Sequence, residues 1–339
     1  MSADLFISTT PTVEDCWRGV ILFGRNTASY KFALATALLA LKPKSGELVK
    51  MEDLAPAFAQ SIADHLQVAP KQITTTNGKF IQACLDFNQT KDRTRLVDAA
   101  VNHGFVNVID AFHIVGSSQV HHPFFVDERK AHRGIRMTDE FGRMAAGMQI
   151  ANLGEEVAAR WRLVETAWNL GVSSNLLAVQ HDNELGELFA LDGALRRRSV
   201  TSSRSALSGY QKGRCFYCHT DLQLIGAGMN TDVDHFFPHR LKKANLGVNL
   251  DGVWNLVLSC PACNRGPKGK FDRIPSMTML ERLNQRNECL IGSQHPLRET
   301  LMRQTGMQPA QRAGFLYDFY RAVQLSPGTA WDSGHPPAD

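Results

Sequence analysis

The sequence predicts an α+β protein: a largely α-helical N-terminal domain (1–195), a small cysteine-bracketed module (196–275) and C-terminal helices (276–339). Three observations predict it. Apolar residues recur at helical spacing through the N-terminal part, as in Leu54, Phe58, Ile62 and Leu66. Two Cys-x-x-Cys turns, Cys215/Cys218 and Cys260/Cys263, enclose 41 residues. Basic charge gathers around those turns: from Arg196 to Arg273 there are 13 Lys and Arg against 5 Asp and Glu, a net of +8, while the remainder of the chain is at −4.

Composition sets the bounds. At 339 residues there is room for two domains. A hydrophobic content of 43% with 21% charged residues describes a soluble globular chain. No apolar run is long enough for a bilayer, and the N-terminus lacks the basic region of a signal peptide, so no membrane partner is expected. Outside the two turns, Cys16, Cys84 and Cys289 are scattered and odd in number, which argues against a disulfide framework and for a reducing cytoplasm.

Along the chain, the Ala- and Leu-rich segment before Lys42-Pro43 reads as a core helix, ended by the proline. Gly24-Arg25-Asn26 reads as a turn, since the full phosphate-loop pattern is missing. Glu52-Asp53 opens a second helix, with Pro56 tolerated early. After an Asn77-Gly78 turn, helices follow around Phe80–Leu85 and Asp92–Asn102, and residues 105–116 fit either strand or buried helix. Residues 117–137 mix His, Arg and Phe. Arg129, Lys130, Arg133 and Arg136 could meet phosphates with Phe124 or Phe125 as stacking platforms; the simpler reading is a loop whose rings fold into the core. Residues 139–170 hold one or two helices with a junction at Gly154-Glu155-Glu156, and their charges read as a solvated face. Residues 172–195 read as a short helix; three more helices follow Pro275, Pro296 and Gln311, and the tail from Ser326 reads as loose.

The module carries the chemistry. Two Cys-x-x-Cys turns complete a tetrahedral thiolate site, so Cys215, Cys218, Cys260 and Cys263 are expected to hold a structural Zn2+. Four cysteines leave no open position for a catalytic water, and such a site contributes on the order of 10 kcal/mol to folding. Between the turns lie Asp234, a hard oxygen ligand for Mg2+ or Mn2+, and His235, a proton acceptor near neutral pH. Neighbours on a strand face opposite sides, so the two can serve different partners. Asn264 offers an amide oxygen to a divalent metal, and Asn255 could bond His235 and fix its direction. Singly, each residue is more often a surface or turn residue.

In combination these residues resemble the HNH endonuclease family, in its branch with zinc knuckles. The likeness runs through Cys215/Cys218, Asp234-His235 with Pro238, Asn255-Leu256 and Cys260/Cys263-Asn264, about residues 200–275. It implies a ββα-metal unit, with His235 as general base, Asp234 and Asn264 as ligands of the catalytic Mg2+ or Mn2+, and Asn255 positioning His235. Phosphate contacts are expected from His239, Arg240, Lys242, Lys243, Arg265, Lys268, Lys270 and Arg273, although any one of them alone reads as a solvated charge. DNA is the substrate the family likeness favours, cut one strand at a time. The N-terminal domain suggests a regulatory protein partner or a homo-oligomer, as in a restriction or phage-defence system. The alternatives are an RNA-directed nuclease and a zinc-stapled binding module without catalysis.

Overall fold

Thr12 starts the first helix, Val13–Phe23, by a reciprocal cap: its hydroxyl accepts from Asp15 N–H at 3.1 Å, and the Asp15 carboxylate accepts from Thr12 N–H at 3.3 Å. The computed structural model describes residues 11–24, 27–74, 78–172, 177–192, 194, 196–244, 247–292, 297–324 and 330–334. The chain divides into two units between residues 172 and 173.

The first unit is mostly helical. Tyr30–Leu41 is apolar nearly all round and stops at Lys42, which turns left-handed (φ 50°) ahead of Pro43. Met51–Val68 buries Leu54, Phe58, Ile62 and Leu66, as the four-residue spacing predicts, and tolerates Pro56 inside. Phe58 stacks on Phe80 at 5.4 Å and meets Phe105 at 4.5 Å, joining Lys79–Thr90 to this core. Residues 105–116 resolve into a one-turn helix, Val108–Ala111, and a short strand, Ile114–Val115. A small antiparallel sheet places Gly134–Met137 between Leu48–Lys50 and Phe125–Glu128. Phe124 and Phe125 are buried, and Arg129 and Arg136 bond Asp127 and Glu128, so the rings fold into the core as expected, but the stretch is built of strands and not of an irregular loop. Asn77, Arg25 and Asn26, named in the expected turns, lie outside the described residues.

One expectation is reversed. Ile150–Asn169 runs unbroken through Gly154, and the junction lies instead after Ala146. Most of its named charges are not on a solvated face: Arg162 is exposed, but Glu156, Arg160 and Glu165 are buried. Glu156 accepts from Arg18 Nε at 2.8 Å, and Glu165 accepts from Gln72 Nε2 at 2.8 Å beside His65. Trp161 donates to Gln72 Oε1 at 2.8 Å and stacks on His65. Amphipathic spacing does not tell a solvated charge from one that meets a partner more than a hundred positions away.

The second unit begins with strands, not the expected short helix. Val179–Asp182, Glu187–Leu191 and Arg197–Ser202 form an antiparallel meander. The expected boundary at 195/196 therefore falls inside a sheet. Alternating burial in Val179–Asp182 and Glu187–Leu191 is the signal that a helical reading missed. Beyond it, Asp232–His235 pairs antiparallel with Leu256–Ser259, and Pro261–Arg265 makes a short helix.

Helices Met277–Gly292, Leu297–Thr305 and Pro309–Val323 belong to this same unit. They were expected against the N-terminal domain; within their own unit they pack on the module's rings. Phe237 meets Phe319 at 4.8 Å, Trp254 meets Phe315 at 5.0 Å, and Arg282 donates to Phe216 O at 2.7 Å. The aromatic rings beside Asp234-His235 require a cover, and these helices supply it. Nor is all of the tail loose. Trp331 is 5% exposed, donates its backbone N–H to Ile274 O at 2.7 Å and meets Tyr217 edge-on at 4.9 Å, while residues 325–329 and 335–339 lie outside the described set.

Two measurements test the first unit. Breaking a buried ion pair by removing one partner leaves a desolvated charge, so Arg18→Ala is expected to cost about 3–5 kcal/mol in urea unfolding. His113 is buried and its Nε2 accepts from Phe124 N–H at 2.9 Å. Burial, aided by the nearby Lys31, pushes its pKa down to about 4. A histidine held below its unfolded value binds fewer protons when folded, so stability rises with pH across that window. Stability is expected to fall as pH drops from 6.5 toward 4, and His113→Gln to flatten that part of the urea-midpoint profile.

Candidate active site

The four cysteine sulfurs Cys215, Cys218, Cys260 and Cys263 lie within 4.8 Å of one another. Cys218 Sγ and Cys260 Sγ are 3.7 Å apart. A tetrahedral ion with zinc–sulfur bonds of about 2.3 Å sets its sulfurs about 3.8 Å apart, so the cluster has the dimensions of a zinc site. Backbone amides serve the sulfurs: Cys260 N–H donates to Cys215 Sγ at 3.3 Å and Cys263 N–H to Cys260 Sγ at 3.4 Å. The Cys263 thiol donates to Cys215 and holds it down at about 5, while burial pushes Cys260 up to about 11. Four thiolates this close repel one another unless a cation sits among them. The cluster is compatible with zinc in both distance and chemistry.

The strand Asp232–His235 alternates its side chains, and Asp234 and His235 point to opposite faces. Asp234 turns inward. Tyr217 donates to its Oδ2 at 2.7 Å and Lys270 Nζ stands 3.3 Å from its Oδ1. Burial pushes its pKa up to about 6 against the pull of Lys270 and Tyr217. Lys270 is fully buried in this pair, which removes it from the expected phosphate contacts. Asn264 faces a different carboxylate: its Nδ2 donates to Asp232 Oδ2 at 3.1 Å, and Arg265 Nε donates to the same oxygen at 2.9 Å. Asp234 and Asn264 therefore do not fit a shared Mg2+ or Mn2+ site, because both Asp234 oxygens are already engaged in the core.

His235 turns the other way, with its side chain 15% exposed. Its Nε2 lies 3.1 Å from Asp251 Oδ1, and His181 and His239 stand at ring distances of 6.1 and 4.8 Å. Burial, then the neighbouring His239, pushes His235 down to about 4, so the imidazole is neutral near pH 7. Burial alone would raise Asp251; hydrogen bonds from Lys242 and Asn183 outweigh it and hold the carboxyl well below its usual range. Asn255 is fully buried but does not bond His235. Its Oδ1 accepts from Phe237 N–H at 2.7 Å, and its Nδ2 donates to Phe237 O at 3.0 Å and Leu250 O at 2.8 Å. It thus fixes the backbone just after His235 and just before Asp251.

A cleft of about 460 Å3 is lined by His181, Asn183, Arg204, Asp232, Asn264 and Arg265 among others. Asp232, Asp251, His181 and Asn183 were not singled out in the sequence. Asp232 carried a signal in the alternation Asp-Val-Asp-His; the other three carried none. Of the expected phosphate contacts, Lys243 and Lys268 are exposed. Arg240 donates to Asp272 O, Arg273 to the carbonyls of Lys268 and Gly269, and His239 and Lys242 bond Asp251. No helix among the described residues is long and apolar enough to cross a membrane. No protein-family model matches this chain, and no curated protein or solved structure matches it significantly.

Cys215→Ser is expected to lose the bound zinc and to unfold the second unit at lower urea, read by metal content and circular dichroism. A variant that keeps one zinc per chain and the wild-type midpoint would contradict a structural metal at these sulfurs.

Proposed function

We propose that the second unit is an HNH-type endonuclease that hydrolyses phosphodiester bonds in DNA, one strand at a time, as the effector of a restriction or phage-defence system. The observation that carries this reading is the setting of His235: a neutral imidazole anchored to an ionised carboxylate, with His181, which lines a cleft that also holds arginine and asparagine, at a ring distance of 6.1 Å. Nε2–H donates to Asp251, which leaves Nδ1 bare to take a proton from the attacking water. Asp251 fixes the ring direction and stabilises the imidazolium that forms. Arg204 in the cleft wall offsets charge that develops on the phosphoryl oxygens. Asn255 holds the backbone that follows His235 and so acts as a positioning residue. A divalent ion, when bound, supplies further stabilisation of the leaving oxygen; its ligands are not Asp234 with Asn264.

The buried Asp234–Lys270 pair favours a second reading, a zinc-stapled module that binds nucleic acid without cutting it. Incubation of supercoiled plasmid with the full chain and Mg2+ or Mn2+ separates the two. Nicked circles are expected, with the rate reduced at least a hundredfold in His235→Ala while zinc content and circular dichroism are unchanged. Cutting by His235→Ala at the wild-type rate would remove His235 as the base. Plasmid retention without nicking would favour the binding module.

A further inference from the structure

We propose that His235, His239 and Asp251 form a second metal site, separate from the four cysteines, which takes one divalent first-row transition ion. Their ligand atoms lie within 4.8 Å of one another. The Nε2 atoms of both histidines stand 3.1 Å from the same oxygen, Asp251 Oδ1. The backbone prearranges them. His235 ends a strand, His239 follows the turn at Pro238, and Asn255 ties Phe237 and Leu250 together between the three ligands.

The hydrogen bonds within the cluster place a cation against His239 and Asp251. Lys242 Nζ donates to His239 Nε2 at 2.7 Å, so that nitrogen is bare. Yet it faces a carboxylate oxygen at 3.1 Å. Two lone-pair donors at that distance repel unless a cation lies between or beside them. Lys242 supplies one for the present, since its ammonium also bonds Asp251 Oδ2. Its side chain is 35% exposed on a flexible stem, so it can swing into solvent and give up the position to an ion. Asn183 Nδ2 lies 3.1 Å from His239 Nε2 and donates to Asp251 Oδ1, which braces the two ligands against each other.

The ligand set selects the ion. Two imidazoles with one carboxylate suit Zn2+, Fe2+, Co2+ or Ni2+, whereas Mg2+, Mn2+ and Ca2+ prefer oxygen ligands. His239 is half exposed, so the ion keeps positions open to solvent. One consequence rests on the nuclease reading above. An ion on His235 Nε2 leaves the ring proton on Nδ1, and no base remains, so the occupied site holds the enzyme inactive until the ion departs.

The test is titration of the zinc-loaded full chain with Co2+, read by visible absorption and by metal counting. One Co2+ is expected beyond the retained zinc, with ligand-field bands but no sulfur-to-metal charge transfer. His239→Ala and Asp251→Asn are each expected to weaken binding at least tenfold at unchanged circular dichroism, and Lys242→Met to tighten it. Binding of no Co2+ beyond displaced zinc, or wild-type affinity in both ligand variants, would overturn the site. Because binding is read without nucleic acid, a chain that takes Co2+ but does not nick loses only the nuclease reading. A chain that nicks but takes no second ion loses only this site.

Discussion

The antiparallel pairing of Asp232–His235 with Leu256–Ser259 is the constraint on which the second unit depends. It sets His235 opposite Leu256 and Asp232 opposite Ser259, one residue before Cys260. The same register therefore brings the second cysteine turn to the first and aims the strand's polar side chains. A slip by one residue would exchange the faces, carrying Asp234 into the cleft and His235 into the core. Two buried anchors oppose such a slip. Asp234 is held by Tyr217 and Lys270, and Asn255 closes three hydrogen bonds on Phe237 and Leu250.

That register also separates two kinds of carboxylate. Asp234 is structural in its surroundings: buried, paired and without an open oxygen. Asp232 and Asp251 stand at the cleft and at the histidines, where a partner can reach them. Lys270 makes the same point for positive charge, since its ammonium stabilises the core instead of meeting solvent. The net positive charge of the module is thus partly spent on internal contacts, and the surface share falls to residues such as Lys243 and Lys268.

Local pattern made much of this legible. The helix at Leu54–Leu66, the stop at Lys42-Pro43, the four cysteines and the half-buried His235 all follow from spacing that acts over a few residues. What the sequence hid depends on distant partners. Glu156 looks like a surface charge until Arg18 reaches it, and Asn255 looks like a bond to His235 until its amide finds two backbone segments. Asp251 is an ordinary turn residue in the sequence; only the folded chain gathers His235, His239, Lys242 and Asn183 around it. The three-stranded meander at 179–202 is harder to read because its strands are short and Glu187–Leu191 is made of residues that also suit helices.

The docking of Trp331 against Pro275 and Tyr217 has a consequence for how the chain is made. Synthesis is vectorial, at about 5–20 residues per second, and N-terminal units fold first. The first unit can close on itself while the rest is still being translated. The second cannot, because a wall of its core arrives with its last described residues. Cys215 and Cys218 emerge well ahead of Cys260 and Cys263, and Trp331 comes later still. A nascent chain therefore passes through a period in which His235 has emerged but the aromatic wall around Tyr217 is incomplete.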